Sequence, residues 1–256
     1  CLRLVGSEMC IRDSNYKNPK SEVTIAMCGK YTELIDSYKS VLESFVHAGV
    51  ENSARVNIKW VKTDKITDDS SAQRTFNNVD GILILPGFGS RGSEGKILSS
   101  KYARENNIPY LGICLGMQCA IIDFARHVCG LSGANSTEFN KRTKYPVVDL
   151  MESQKAIKIK GGTMRLGAYD CSIKTGTKTF AAYRSKKISE RHRHRYEVNN
   201  RYKKRLEKAG MVISGVNDDL GVVETIEISD HPWFVAGQFH PELKSRVNKA
   251  HPLFRD

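Results

Sequence analysis

The segment Gly112-Ile113-Cys114-Leu115-Gly116-Met117-Gln118 sets one thiol between two glycines, where an apolar run gives way to a second, longer apolar stretch. That is the layout of a nucleophile elbow with sulfur in the place of a serine oxygen. Flanking glycines let the backbone bend sharply, and a strained turn lifts the Cys114 side chain above the end of a strand. The thiol then sits at a helix N-terminus, whose positive dipole end favours thiolate and brings the pKa below the free value of about 8.5. The Leu115 N–H would face an oxyanion formed on an attacked carbonyl. The plainer reading is a small buried hydrophobe after a strand; paired glycines, which have no packing rationale at a helix start, favour the nucleophile. Cys119 and Cys129, further along the helix, read as core residues.

A thiol nucleophile needs a base, and the base needs a group to orient it. His240-Pro241-Glu242, directly after the apolar run 233–239, supplies an imidazole with a carboxylate two residues on. It can take the Cys114 proton and return it to a leaving amine, a contribution of roughly 10²- to 10⁴-fold. His231-Pro232 and His251-Pro252 repeat the dipeptide without a nearby carboxylate and read as structural. The block Arg191-His192-Arg193-His194-Arg195, with Lys186, Lys187, Arg201, Lys203, Lys204 and Arg205 around it, reads as a solvated basic face. Its rival reading, phosphate or RNA binding, lacks a stacking motif, since only Tyr183, Tyr196 and Tyr202 lie nearby. His192 and His194 could pair on a metal, but nothing with zinc-site spacing completes a set, and no metal is expected.

These groups need a scaffold, and 256 residues with 40% hydrophobic and 27% charged suffice for a well-buried core. No apolar run approaches the roughly 20 residues of a membrane span. Forty Lys and Arg against 28 Asp and Glu give +12, which invites a polyanionic partner without choosing one. Seven cysteines with no C-x-x-C pair suit a reduced, cytoplasmic setting. Residues 1–18 show no sustained period; 1–20 are read as a tail, non-native or a linker, and 21–256 as one domain. Apolar runs at 23–27, 81–85 and 109–113 read as strands, as do the spaced apolar residues Val56, Ile58, Trp60 and Val61. Helices are expected on the face drawn by Leu34, Ile35, Tyr38, Val41, Leu42, Phe45 and Val46, briefly at 72–76, and at 96–105 and 115–128. Strands alternating with helices predict an α/β fold, an open, mostly parallel, flavodoxin-like sheet covered on both faces. Further strands are expected at 147–150, 156–159, 168–173, 211–216, 222–228 and 233–239, with a helix at 203–208. They would extend the sheet and add a small antiparallel layer.

Taken with these residues, the chain resembles the class I glutamine amidotransferases over about 23–254, and more narrowly the glutaminase domains of the CTP synthase family. The elbow and Gln238-Phe239-His240-Pro241-Glu242 carry the broader resemblance. Narrower blocks are Pro86-Gly87-Phe88-Gly89-Ser90-Arg91-Gly92 through Gly95-Lys96, the run 103–111, Ala134-Asn135-Ser136-Thr137-Glu138-Phe139, Gly161-Gly162-Thr163-Met164-Arg165-Leu166-Gly167 and the run 191–199. The resemblance implies a Cys114, His240 and Glu242 triad, oxyanion-hole amides from Gly87 and Leu115, and L-glutamine held by Gly87, Gln118, Glu138 and Arg195. A carboxylate suits the ammonium of a free amino acid and an arginine fork its carboxylate. Attack on the side-chain carboxamide would release ammonia and leave a γ-glutamyl thioester for water.

The resemblance further implies no cofactor in this domain, an N-terminal synthase domain as partner that uses ATP and Mg to convert UTP to CTP, GTP as an allosteric activator, and a homo-oligomer in the full-length protein. No nucleic-acid or membrane partner is expected. Lys155, Lys158, Lys160 and Arg165 form a weaker surface for the nucleotide or for docking. Two features depart from the family. Pro86 stands where a glycine is usual, removing one N–H donor, and no G-x-x-x-x-G-K-[ST] phosphate loop is present. Remaining alternatives are the glutaminase part of another amidotransferase such as GMP synthase, a γ-glutamyl hydrolase, or an inactive assembly module.

Overall fold

A computed structural model describes residues 2–30, 34–151 and 164–256. Five parallel strands stand first in its main sheet: β1 (Ser21–Gly29), β2 (Ala54–Lys62), β3 (Gly81–Ile84), β4 (Tyr110–Ile113) and β12 (Phe234–Gly237), in the order β2-β1-β3-β4-β12. Beyond β12 the same sheet continues antiparallel through β11 (Val222–Ile228), β10 (Met211–Asn217), β7 (Arg165–Ile173) and β8 (Lys187–His194). Among the described residues nine strands are thus joined, and only β11 and β7 run against the rest. A second, three-stranded sheet of β5 (Ala134–Ser136), β6 (Tyr145–Asp149) and β9 (Glu197–Val198) is mixed, with one parallel and one antiparallel pairing. The expected strand at 156–159, Lys155, Lys158, Lys160 and the Gly161-Gly162-Thr163 stretch lie outside the described residues.

Continuous apolar strands arise because both faces are covered. Ile82 and Ile84 of β3 join one core with Ile97, Met117 and Ile121 from α4 (Ser93–Glu105) and α5 (Leu115–His127). Leu83 and Leu85 point the other way, into a core with Val41 and Phe45 of α2 (Lys39–Asn52) and Leu253 and Phe254 of α8 (Pro252–Arg255). Each such side chain contributes roughly 1.5–3 kcal/mol by leaving water. The remaining helices are α1 (Leu2–Lys17), α3 (Asp69–Phe76), α6 (Lys178–Tyr183) and α7 (Asn200–Lys208). Helix α1 occupies the segment without apolar period; Asn15 Nδ2 donates to the Val50 carbonyl at 3.0 Å, so local helix propensity and a few polar contacts shape it.

Two polar fixtures set the pose of α5. Arg104 of α4 grips the fully buried Asp123 with both its Nε (2.8 Å) and Nη2 (3.2 Å). At the other end, the Tyr110 hydroxyl of β4 donates to the Gly116 carbonyl at 2.9 Å, while its ring stacks on Phe234 of β12 at 4.2 Å between centroids. The helix carrying the thiol is therefore tied to β4, and β4 to β12. In an open α/β sheet, ligands gather beyond the carboxyl ends of the strands.

Candidate active site

Cys114 occupies the single residue between β4 and α5 with φ 53° and ψ −99°, a backbone conformation that costs an L-residue on the order of 1–3 kcal/mol. The surroundings hold it there: the Cys114 N–H donates to the Gly237 carbonyl of β12 at 2.8 Å, and the side chain is only 2% exposed. The paired glycines do have a packing reason. A Cβ on Gly112 would lie 2.8 Å from the Gly116 carbonyl carbon and 2.9 Å from the Ala236 Cβ, and one on Gly116 would lie 2.6 Å from the Ile84 carbonyl oxygen. The turn is pressed against both neighbouring strands, and only glycine fits.

His240 follows β12, which is hydrogen-bonded alongside β4, and so a base from the far end of the chain reaches the elbow. Its backbone N–H donates to the Arg191 carbonyl of β8 at 2.8 Å, and its Nδ1 donates to Glu242 Oε1 at 2.7 Å. Glu242 lies in the 3₁₀ turn Pro241–Leu243, which folds the carboxylate back onto the ring. The other nitrogen, Nε2, is buried without a hydrogen-bond partner among the described residues, and Cys114 and Glu242 are the groups that act on the ring. Catalytic pairs are often loosely aligned until substrate binds. Burial opposes the imidazolium, but Cys114 and Glu242 together outweigh burial and lift His240 to about 10.

The residues expected to hold an amino acid converge on the same edge. A Cβ on Gly87 would lie 3.5 Å from Leu115 Cδ2, so the two residues expected to line an oxyanion hole are neighbours despite Pro86. Two residues on, the Gly89 N–H donates to Glu138 Oε1 at 2.7 Å. Burial raises the Glu138 carboxyl, with the Gly89 N–H and the charges of Arg195, Lys30 and Lys96 working against that rise. Gln118 Nε2 donates to the Tyr196 carbonyl (3.1 Å), next to Arg195, and to Gln238 Oε1 (3.2 Å), leaving its own Oε1 buried and unbonded among the described residues. Cys119 is wholly buried and its thiol is pushed up to about 12 by burial, as a core residue should be, whereas Cys129 is only partly buried. His231 and His251 make structural bonds, to the Ala103 carbonyl (3.0 Å) and to Glu190 (3.1 Å).

The basic block does not form one face. Along β8, Arg191 and Arg193 are exposed while His192 and His194 turn inward, as strand alternation demands. The two histidines join Arg165, which bonds Glu197 (3.1 Å) and Glu224 (2.6 Å) in a buried cluster. Hydrogen positions follow from one end. The Tyr196 carbonyl can only accept, so His194 Nδ1 donates to it (3.2 Å); His194 Nε2 then accepts from His192 Nδ1 (2.9 Å), leaving His192 Nε2 bare, 3.5 Å from Glu224 Oε2. Burial and the Arg165 charge hold both rings neutral, His192 at about 2 and His194 at about 3. Burial lifts Glu224 to about 7 and Glu197 to about 8, against the pull of Arg165.

Sequence reasoning missed three participants. Gln238, wholly buried, donates from Nε2 to Cys114 Sγ at 3.6 Å. The Tyr196 carbonyl terminates two hydrogen-bond chains. Lys96, 2% exposed, donates to the Leu85 carbonyl at 3.0 Å beneath the Gly87 loop, and burial lowers its pKa. The spacing of Gln238 and His240 was the one available signal, since residues two apart tend to share a face. A hollow of about 500 Å³ between α1, α2 and β2 involves none of these residues.

Residues 33–256 match the family described as glutamine amidotransferase class-I. The CTP synthase of Christiangramia forsetii is 57% identical over 239 residues, covering 93% of this chain and 44% of the relative. That of Prosthecochloris aestuarii is 60% identical over 234 residues, covering 91% and 42%. The chain thus spans less than half the length of these curated relatives. Among solved structures, the glutaminase domain of Trypanosoma brucei CTPS with bound acivicin superposes with a TM-score of 0.85 at 39% identity, covering 91% of each chain. A putative GMP synthase protein from Thermoplasma acidophilum shares the fold, with a TM-score of 0.56 at 19% identity, covering 91% of this chain and 90% of that one.

Proposed function

Because the chain belongs to the class I glutamine amidotransferases, and within them to the glutaminase domains of CTP synthases, we propose that it hydrolyses L-glutamine through Cys114, His240 and Glu242. One observation carries this reading: a carboxylate fixes the His240 imidazole at 2.7 Å, and the same ring comes under the influence of the Cys114 thiol held in a strained elbow. An imidazolium beside a thiol favours the thiolate form as the nucleophile. The sulfur attacks the γ-carboxamide carbon, forming the C–S bond, and the Gly87 and Leu115 N–H groups receive the oxyanion. The imidazolium gives its proton to the leaving nitrogen and ammonia departs. Water then attacks the thioester, its proton passes to His240, the C–S bond breaks with its electron pair on sulfur, and glutamate leaves.

Glu138, Arg195 and the unbonded Gln118 Oε1 are suited to the ammonium and carboxylate of the substrate. Ammonia would serve a synthase domain of a longer protein, for ATP-dependent amination of UTP to CTP with GTP as effector. The test is a glutamine-mimicking electrophile followed by peptide mass spectrometry, alongside glutamate release from glutamine. A single adduct on Cys114, with adduct and turnover both lost in Cys114→Ala, is expected. Labelling of another cysteine, or of none in a folded sample, would overturn the mechanism.

A further inference from the structure

Gln238 is a polar side chain with no exposed surface, placed where it meets the sulfur. Buried amides persist when their hydrogen bonds are made, and the polarity of those bonds can be worked out. The Tyr196 carbonyl has lone pairs and no proton. The Gln118 atom 3.1 Å from it is therefore the amide nitrogen, and not the oxygen. That same nitrogen lies 3.2 Å from the Gln238 amide, so the Gln238 atom there must accept and is Oε1. Its N–H₂ end is left facing Cys114 Sγ at 3.6 Å. A flip of Gln238 would set nitrogen against nitrogen at one end and oxygen against sulfur at the other.

We propose that Gln238 is a catalytic residue of the glutaminase step, a neutral N–H donor to the Cys114 sulfur whose direction is locked by Gln118 and the Tyr196 carbonyl. The proposal rests on Cys114 being the nucleophile. His240 also favours thiolate, but its proton moves in each half-reaction, to the departing ammonia and then back from water. Gln238 carries no transferable charge and stays a donor when the C–S bond breaks and the electron pair returns to sulfur. Its backbone N–H donates to the Glu224 carbonyl at 2.8 Å, and Gly237 just before it accepts the Cys114 N–H, so the donor is carried by the same backbone that grips the elbow.

The experiment measures iodoacetamide alkylation of the Cys114 peptide by mass spectrometry, across the pH range where thiols ionise, in wild type, Gln238→Met and Gln238→Glu. Folding of each variant is verified by circular dichroism. A packing role would be kept by methionine, which fills similar space without a donor. A donor role predicts an upward shift of the alkylation midpoint by about one pH unit in Gln238→Met, as suits a hydrogen bond to a charged group. Below the midpoint, kcat/KM for glutamine then falls about tenfold, the same change expressed as thiolate fraction. Gln238→Glu, nearly isosteric, sets an acceptor against sulfur and shifts the midpoint further. Should methionine not fold there, the glutamate variant alone decides. An unchanged midpoint in a folded variant overturns the role of Gln238 and leaves Cys114 as nucleophile. Absence of preferential Cys114 alkylation in wild type instead removes the nucleophile assignment, and the proposal with it.

Discussion

In the proposed mechanism Glu242 takes no part in bond making, yet it accepts from the His240 imidazole at 2.7 Å and favours the proton there. Glu242→Gln keeps the shape of the side chain and removes its charge, so the fold should persist while kcat falls by roughly 10²- to 10⁴-fold. The pH dependence should move as well. His240 sits at about 10 because Cys114 and Glu242 favour its proton, so in the variant the alkaline limb of kcat shifts to lower pH. An alkaline limb unchanged by the substitution would remove Glu242 from this role. At this scale the sequence was informative where chemistry and contiguity coincide: Cys114 between its glycines, and His240 with Glu242 two residues on. Gln238 and Lys96 stood only inside the blocks of the resemblance, with no role of their own. Glutamine and lysine are normally surface residues, and nothing local says that either is swallowed beside a thiol.

Gly116 opens helix α5 against the Ile84 carbonyl of β3, and that contact decides how closely the helix can approach the sheet. Gly116→Ala would bring a methyl carbon to 2.6 Å from that oxygen. Backbone cannot yield as a side-chain tip does, so a loss of about 1–3 kcal/mol in urea unfolding is expected, together with reduced Cys114 labelling. Equal stability and labelling would show that the elbow tolerates the bulk. Buried parallel strands were legible because their apolar runs are unbroken, and β11 was read at its observed limits, Val222–Ile228. Strand β8 was not. Its alternating arginines and histidines look like a charge run, and only the burial of His192 and His194 shows a two-faced strand. Helix α1 lacked the apolar face by which helices are recognised, and β5, with three residues, is too short to show alternation.

Across the molecule, the cluster of Arg165, Glu197, Glu224, His192 and His194 couples stability to pH in two opposing senses. The histidines are depressed from 6.5 to about 2 and 3, so the unfolded chain binds more protons below 6.5, and their contribution is lost as pH falls. The glutamates are raised from 4.5 to about 8 and 7, so the folded chain binds more protons, and their contribution fades as pH rises through those values. Unfolding free energy from chemical denaturation should therefore decline between pH 6.5 and 8. Glu224→Gln retains an acceptor for Arg165 and offers N–H to the bare His192 nitrogen, so it should flatten part of that decline. His240 contributes the same slope in both proteins. Identical slopes would show that Glu224 gains no proton on folding. None of this was legible in the sequence, since Arg165 and Glu224 stand 59 residues apart and the strands between them carry no mark of the meeting. The placement of β12 between β4 and β11 has a consequence for the order in which the protein is made. Cys114 leaves the ribosome more than a hundred residues ahead of His240, with β4 still lacking its neighbour on one side. The nascent chain thus carries the thiol without the imidazole proposed as its base, and the two meet only after β12 has been made and laid beside β4.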